Sequence, residues 1–227
     1  EGMNMDNRRV FDITPKIAPG IQAWPGDTPF ARKMLCSIES GSSIELSSVT
    51  TSVHLGAHAD GPVHYARRAD GAVGVGEMPL RHYLGLCQVI DAPLAKACAG
   101  EARVGVADVV GGLETIRSPR VLLRTGSFRG FYGWNADFAG IEPALVDALA
   151  DRGVITIGID TPSVDPQESK ELPAHKAIFR RGIAILEGLD LAEAPAGSGR
   201  IYELIAPPLR LMGCDASPVR ALLREMP

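Results

Sequence analysis

No block of Lys and Arg stands out in this 227-residue chain, and 23 basic against 27 acidic side chains leave a net charge of −4. A nucleic-acid surface or a polybasic membrane patch needs clustered positive charge, so neither partner is expected. Cysteine is scarce: Cys36, Cys87, Cys98 and Cys214 are widely spaced and form no C-x-x-C pair. At this chain length that excludes a disulfide framework and a cysteine zinc site, and the four read as small buried hydrophobes in a reducing cytosol. No apolar run approaches the ~20 residues of a membrane-spanning helix. A basic-then-apolar leader is missing as well, which points to the cytoplasm. Glu1-Gly2-Met3 reads as a tag remnant ahead of a native start at Met3 or Met5, so residues 1–7 are expected to be a flexible terminus. Without G-x-G-x-x-G or a Walker motif, nucleotide binding has no support. A nucleophile elbow G-x-S-x-G is also absent, since Gly126-Ser127 lacks the second glycine, and a serine hydrolase is disfavoured accordingly. There is no internal repeat and no low-complexity tract.

What is present describes an ordinary globular chain, with 45% hydrophobic and 22% charged residues and enough length for a core without staples. Strands are predicted at Arg9–Thr14, Ser43–His54, Gly85–Asp91, Val121–Thr125, Ile183–Glu187 and Tyr202–Ala206 from alternation and β-branched content. The continuous apolar run Val154–Ile159 suits a strand buried on both faces. Glu142–Ala150 reads as a helix, with Pro143 in its first turn and Gly153 past its end, and a short helix is expected over Ala174–Arg181. Pro15, Pro19, Gly20, Pro25, Gly26 and Pro29 mark a long loop, where Trp24 is expected to be exposed. The whole is one mixed α/β (α+β) domain over residues 8–227 with a β-rich core, not a doubly wound sheet.

Histidine is sparse too, yet three of only five fall within eleven residues, in His54-Leu55-Gly56-Ala57-His58-Ala59-Asp60-Gly61-Pro62-Val63-His64. A helix would put His54 and His58 on one face, but Gly56, Gly61 and Pro62 oppose a helix. An extended chain does better: His54, His58, Asp60 and His64 all occupy even positions and project to one side. Gly56 would leave room for an ion on that side, and Pro62 would aim the residues after it. Imidazole and carboxylate are suited to zinc and similar divalent metals. Elsewhere, Glu187 ends an apolar run, where a carboxylate needs either a metal or a turn toward solvent. His175 is placed as a helix-capping histidine or a ligand, and His82 as a packing or surface residue.

The stretch His54 to His64 resembles the H-x-G-[TA]-H-x-D-x-P-x-H signature of the metal-dependent cyclase-like hydrolases. Ala57 stands at its Thr/Ala position, while Gly61 and Val63 occupy variable ones. Within that family the Ala23–Phe30 loop, with its Trp24-Pro25-Gly26-Asp27 core, resembles the bacterial kynurenine formamidases, or arylformamidases. So do the blocks at 157–166, 174–176, 184–188 and 215–220. The resemblance implies a β-barrel-like core of mixed strands with flanking helices, of the swivelling β/β/α type, and a homodimer. It implies two zinc ions per chain, manganese or another divalent ion being an alternative. His54 and His58 match ligands of one ion, His175 a ligand of the other, and Asp60 and Glu187 the bridging carboxylates. His64 matches the general acid/base, and Trp24 an aromatic wall for a small aromatic formamide. The implied reaction is hydrolysis of N-formyl-L-kynurenine to L-kynurenine and formate, in tryptophan breakdown. Alternatives are a relative acting on another aryl amide or a lactam such as isatin, and a non-catalytic metal-binding protein. The sequence leaves open whether Asp160, Arg124, Phe131, Tyr132 and Trp134 line the pocket or pack.

Overall fold

The computed structural model describes residues 8–93, 102–195, 197 and 200–227. The expected tag remnant and flexible terminus over 1–7, and Cys98, lie outside them. In chain order the elements are β1 (Val10–Asp12), β2 (Ala31–Cys36), β3 (Leu46–Thr50), β4 (His58–Asp60), β5 (Leu84–Asp91), β6 (Arg103–Val104), β7 (Arg120–Arg124), β8 (Gly140–Ile141), α1 (Pro143–Ala150), β9 (Thr156–Ile159), α2 (Pro173–Arg181), β10 (Ala184–Glu187), β11 (Tyr202–Ile205), β12 (Ala216–Pro218) and β13 (Leu222–Glu225). Among the described residues no helix is long and apolar enough to cross a membrane.

Nine strands form one sheet in the order β1-β13-β11-β5-β7-β9-β10-β4-β12. The centre, β5-β7-β9-β10, is parallel, and the remaining pairs are antiparallel. Strands β12 and β13 stand seven inter-strand steps apart in that order, about 34 Å if the sheet were flat, at ~4.8 Å per step. The chain passes from Pro218 to Leu222 between them, a reach of at most about 14 Å. The sheet must therefore curl until its ends approach. Val219 N–H on the Ala57 carbonyl at 2.9 Å and Ile13 N–H on that of Ala221 at 3.0 Å extend the β4–β12 and β1–β13 ladders toward the crossing, and Asp190 N–H, just past β10, donates to the Ile13 carbonyl at 2.9 Å across the seam.

The curl separates two apolar layers. Ala59, Leu122, Ala184, Leu186, Leu204 and Leu223 fill the concave side. Their strand neighbours Val121, Leu123, Ile157, Ile159 and Ile185 face outward, where Leu145, Leu149, Ala177 and Ile178 of α1 and α2 cover them. All four residues of β9 are buried, as expected of a strand covered on both faces. This mixed α/β half-barrel has the architecture expected from the sequence.

Three local expectations change. The predicted strand Ser43–His54 ends at Thr50, and His54 lies in a turn. Strand β2 has no counterpart among the predicted strands; it and β3 form a separate exposed hairpin, outside the packing that sheet patterning reports. Of the cysteines, Cys87 is buried as expected, whereas Cys36 and Cys214 are only partly so.

Candidate metal centre

The segment 54–64 does not run as one extended chain. Gly56 takes φ +69° and Pro62–His64 forms a 3-10 turn, leaving only His58–Asp60 as strand. Alternation in β4 still decides the outcome: Ala59 enters the concave core, so His58 and Asp60 face outward beneath α2. Glu187 pairs directly with His58 across the antiparallel β10–β4 ladder, on that same face. His54 and His64 reach it from the flanking turns. Gly56 does not make room for an ion. Its carbonyl accepts a hydrogen bond from His58 Nδ1 at 2.9 Å. A side chain at Gly188, where φ is +64°, would collide with that same carbonyl, which is why glycine follows Glu187.

Helix α2 brings the fifth ligand candidate. Leu172 stands at its N-cap with φ +47°, the only positive φ outside glycine among the described residues. Leucine cannot cap, and Asp165 does so from a distance. It accepts from the N–H groups of Ala174 and His175 at 3.2 and 3.1 Å, and from His175 Nδ1 at 2.8 Å. Arg103 fixes Asp165 in turn at 2.6 Å.

His58, Asp60, His175 and Glu187 are all at most 3% exposed. The oxygens of Asp60 split between two groups. Oδ1 lies 3.2 Å from His54 Nδ1 and 3.5 Å from His58 Nε2, while Oδ2 lies 3.7 Å from His175 Nε2. Glu187 divides likewise, with Oε2 3.2 Å from His58 Nε2 and Oε1 3.6 Å from His175 Nε2. Neither Asp60 oxygen, nor His58 Nε2, nor His175 Nε2 has a hydrogen-bond partner among the described residues. Four such buried polar atoms aimed at one another are costly unless a cation lies among them. The donor set, imidazole nitrogen and carboxylate oxygen, is that of zinc and related divalent ions, so the residues fit a metal. Each imidazole is also held on its other nitrogen: His58 by Gly56, His175 by Asp165, and His54 by Asp215, whose Oδ2 accepts from Nε2 at 3.0 Å. Such partners fix which nitrogen is free to bind.

Charge in this cluster is strongly coupled. Burial disfavours charged His54, but Asp60 and Asp215 outweigh it and raise its pKa to about 9. Burial likewise opposes charging of His175, and Asp165 and Asp60 raise it to about 10. Burial works against ionised Asp60, yet His175 and His54 hold its carboxyl well below the usual value. His64 shifts the other way, lowered first by burial. Protons on His54 and His175 thus stand where cations would otherwise balance the carboxylates.

Above the cluster opens a cavity of about 480 Å³, lined by Trp24, Phe131, Trp134, His54, His64, His175 and Glu187 among others. Trp24-Pro25-Gly26-Asp27 makes a tight turn, with Gly26 at φ +89° and Asp27 N–H on the Trp24 carbonyl at 2.9 Å; Pro then Gly at its centre favours a type II turn. Trp24 is half-buried, not the exposed loop residue expected, because it packs edge-on against Trp134 and Phe138 at 5.8 and 6.1 Å. Of the residues left open by the sequence, Phe131 and Trp134 face this cavity. Arg124, Asp160 and Tyr132 line a separate cleft of about 750 Å³, which Phe131 also borders. There Arg124 pairs with Asp91 at 2.6 Å, and Asp160 accepts from the backbone of Thr125 and Gly126. His82 is buried away from the site, its Nδ1 on the Ile155 carbonyl at 2.9 Å. Asp165 and Asp215 have no role in the reading of the sequence alone. A helix opening on Leu172-Pro173 with no capping side chain is a usable hint for the first, and the second is marked only by its place at the head of the 215–220 block.

The sequence profile of the Cyclase family, described as "Putative cyclase", matches residues 11–166. The chain belongs to this family. It is similar to a solved structure described as a "potential metal-dependent hydrolase with cyclase activity", with 26% identity, a TM-score of 0.77, and 97% of this chain and 99% of that one covered. A second, a "predicted metal-dependent hydrolase" from Bacillus stearothermophilus, gives 26% identity, a TM-score of 0.75, and 96% and 99% coverage. Isatin hydrolase A from Labrenzia aggregata has the same fold, at 23% identity, a TM-score of 0.77, and 97% and 94% coverage.

Proposed function

We propose that the chain is a zinc-dependent arylformamidase that hydrolyses N-formyl-L-kynurenine to L-kynurenine and formate. The observation that carries a metal-dependent reaction is the division of Asp60 and Glu187, each offering one oxygen toward His58 and the other toward His175. His54, His58, Asp60, His175 and Glu187 are the residues that would hold two zinc ions there. Ions held there supply Lewis acidity for a carbonyl oxygen and lower the pKa of a water. His64 borders the cavity with its pKa lowered by burial, so at neutral pH it starts as a proton acceptor. It takes a proton from the attacking water and returns one to the arylamine nitrogen as the C–N bond breaks. Trp24, Phe131 and Trp134 give the aromatic ring an apolar wall, where edge and offset contacts favour binding.

A lactam such as isatin is the second reading, favoured by the likeness to isatin hydrolase A. It needs the same attack on an amide carbonyl beside an aromatic ring. Measuring kcat/KM of zinc-loaded protein on both substrates decides: a clear preference for isatin replaces the formamidase reading. No hydrolysis of any formanilide or lactam by metal-replete protein would leave a metal-binding protein instead. We place the enzyme in the cytoplasm as a homodimer, which light scattering on the purified protein tests.

A further inference from the structure

Asp215 is a half-buried carboxylate beside the cluster, and it approaches two imidazoles at once. It stands immediately before β12, where its backbone carbonyl accepts from Gly61 N–H at 2.7 Å. That bond fixes it against the end of β4. Its Oδ2 lies 3.0 Å from His54 Nε2 and 3.7 Å from His64 Nδ1. The His54 and His64 rings are themselves only 4.3 Å apart, tilted by 42°.

We propose that Asp215 is a positioning residue that serves the metal site and the proton carrier together, a role that rests on the metal-hydrolase reading above. A neutral imidazole carries one N–H. Donated from Nε2 to Asp215, it leaves the His54 Nδ1 lone pair facing Asp60 and any ion beside it. Asp165 sets His175 in the same way through the opposite ring nitrogen. Asp215 differs from Asp165 in reaching a second ring. By attracting His64 Nδ1, it turns His64 Nε2 toward the cavity, where the proton must be taken and given. The arrangement follows the logic of a carboxylate that orients a histidine base without itself gaining the proton. One oxygen thereby couples the tautomer of a ligand to the aim of the base.

The experiment compares wild type, Asp215→Asn, Asp215→Ala, His64→Ala and the Asp215→Ala/His64→Ala double variant, each loaded with zinc. Long-range ¹H–¹⁵N NMR of the imidazoles reads the tautomers. Wild type should show His54 protonated at Nε2. Asp215→Ala should lose that fixed state and bind zinc roughly 10–100-fold more weakly, the usual effect of removing a residue that orients a ligand. Asp215→Asn keeps an acceptor oxygen and should restore the His54 tautomer and zinc affinity, but not full kcat, because it lacks the charge that draws His64. At saturating zinc, Asp215→Ala should lower kcat at least tenfold in the wild-type background and not further in the His64→Ala background. Independent, multiplying losses would show that Asp215 does not act through His64. An unchanged His54 tautomer and zinc affinity in Asp215→Ala would overturn the ligand half. The His54 tautomer and zinc affinity read the ligand half, and loss of the His64 Nδ1–H signal in Asp215→Ala reads the other half, even if wild type hydrolyses neither substrate; an unchanged His64 signal would overturn it, so a failure of the functional reading is told apart from a failure here.

Discussion

Replacing Glu187 with glutamine keeps shape and removes one charge, so it isolates what the carboxylate contributes. In the folded chain Glu187 Oε1 accepts from Val164 N–H at 2.7 Å, and either rotamer of the amide can keep only one acceptor oxygen. If that oxygen stays on Val164, the amide nitrogen occupies the Oε2 position, 3.2 Å from His58 Nε2. A donor then replaces an anionic ligand, and the group can no longer bridge. Loss of a residue near a metal typically costs 10–100-fold in affinity even when it only orients a ligand, so a 100-fold loss is a modest expectation for a bridging ligand. At a free zinc concentration 100 times the wild-type dissociation constant, binding stabilises wild type by about 2.7 kcal/mol and the variant by only ~0.4. The difference, ~2.3 kcal/mol, corresponds to roughly 5–9 °C in melting temperature for a chain of this size. Calorimetric melts with and without chelator measure it, and metal analysis counts the ions. We expect close to two per chain in wild type, fewer in the variant, and activity reduced at least tenfold. One ion per chain in fully active wild type, with Glu187→Gln equally active and equally stabilised, would refute the bridging arrangement.

His64→Ala should keep its metal and lower turnover by roughly 10²–10⁴, the usual contribution of general acid–base help; loss of metal would instead make His64 a ligand, an arrangement its proximity to His54 and Asp60 permits. Trp24→Ala should raise KM more than it lowers kcat, and its edge contacts to Trp134 and Phe138, at about 0.5–1.5 kcal/mol each, should lower stability measurably; unchanged kinetics would make it a packing residue only. The pH dependence has a definite sign: the pKa values of His54 and His175 rise from 6.5 to about 9 and about 10 in the folded chain. Their charged forms therefore stabilise metal-free protein fully below pH 6.5, and that stability fades as pH climbs through 9 to 10. Zinc needs the neutral rings, so its affinity should rise over the same range with protons released; a metal-free melting temperature flat across it would contradict the coupling.

Much of the site is legible in the sequence because its residues are chemically scarce. Three histidines and Asp60 lie within eleven positions, and nothing but a polar site makes sense of that density before an apolar strand end such as Glu187. The geometry is not legible, since even spacing implies an extended chain and the actual path uses a left-handed Gly56 and a 3-10 turn. Convergence survives this error because β4 alone sets the common face, and turns of either kind can return His54 and His64 to it. The short strands β4, β8 and β12 carry two or three residues each, too few for alternation to register. Trp24 escapes for a related reason: loop composition reports backbone conformation and says nothing of which distant aromatics a loop side chain will meet.

Barrel closure explains why the two orienting carboxylates matter. Asp215 stands 151 positions beyond His64 in the chain, and it reaches the site only because β12 pairs with β4 on the side away from β10. That pairing requires the sheet to curl, since Leu222 on the far flank follows Pro218 so closely. Asp165 depends on closure less, because it is delivered by the loop from β9 to α2. The pair thus draws on different parts of the fold, one on the seam and one on the helix cover. A perturbation that loosens the seam, such as a bulky residue at Ala221, which is fully buried, should disturb His54 before it disturbs His175. The parallel core β7-β9-β10 supports α2 away from the short Pro218–Leu222 crossing, so His175 is held by a different part of the fold from His54, and Asp60 and Glu187, paired across β4 and β10, join the two.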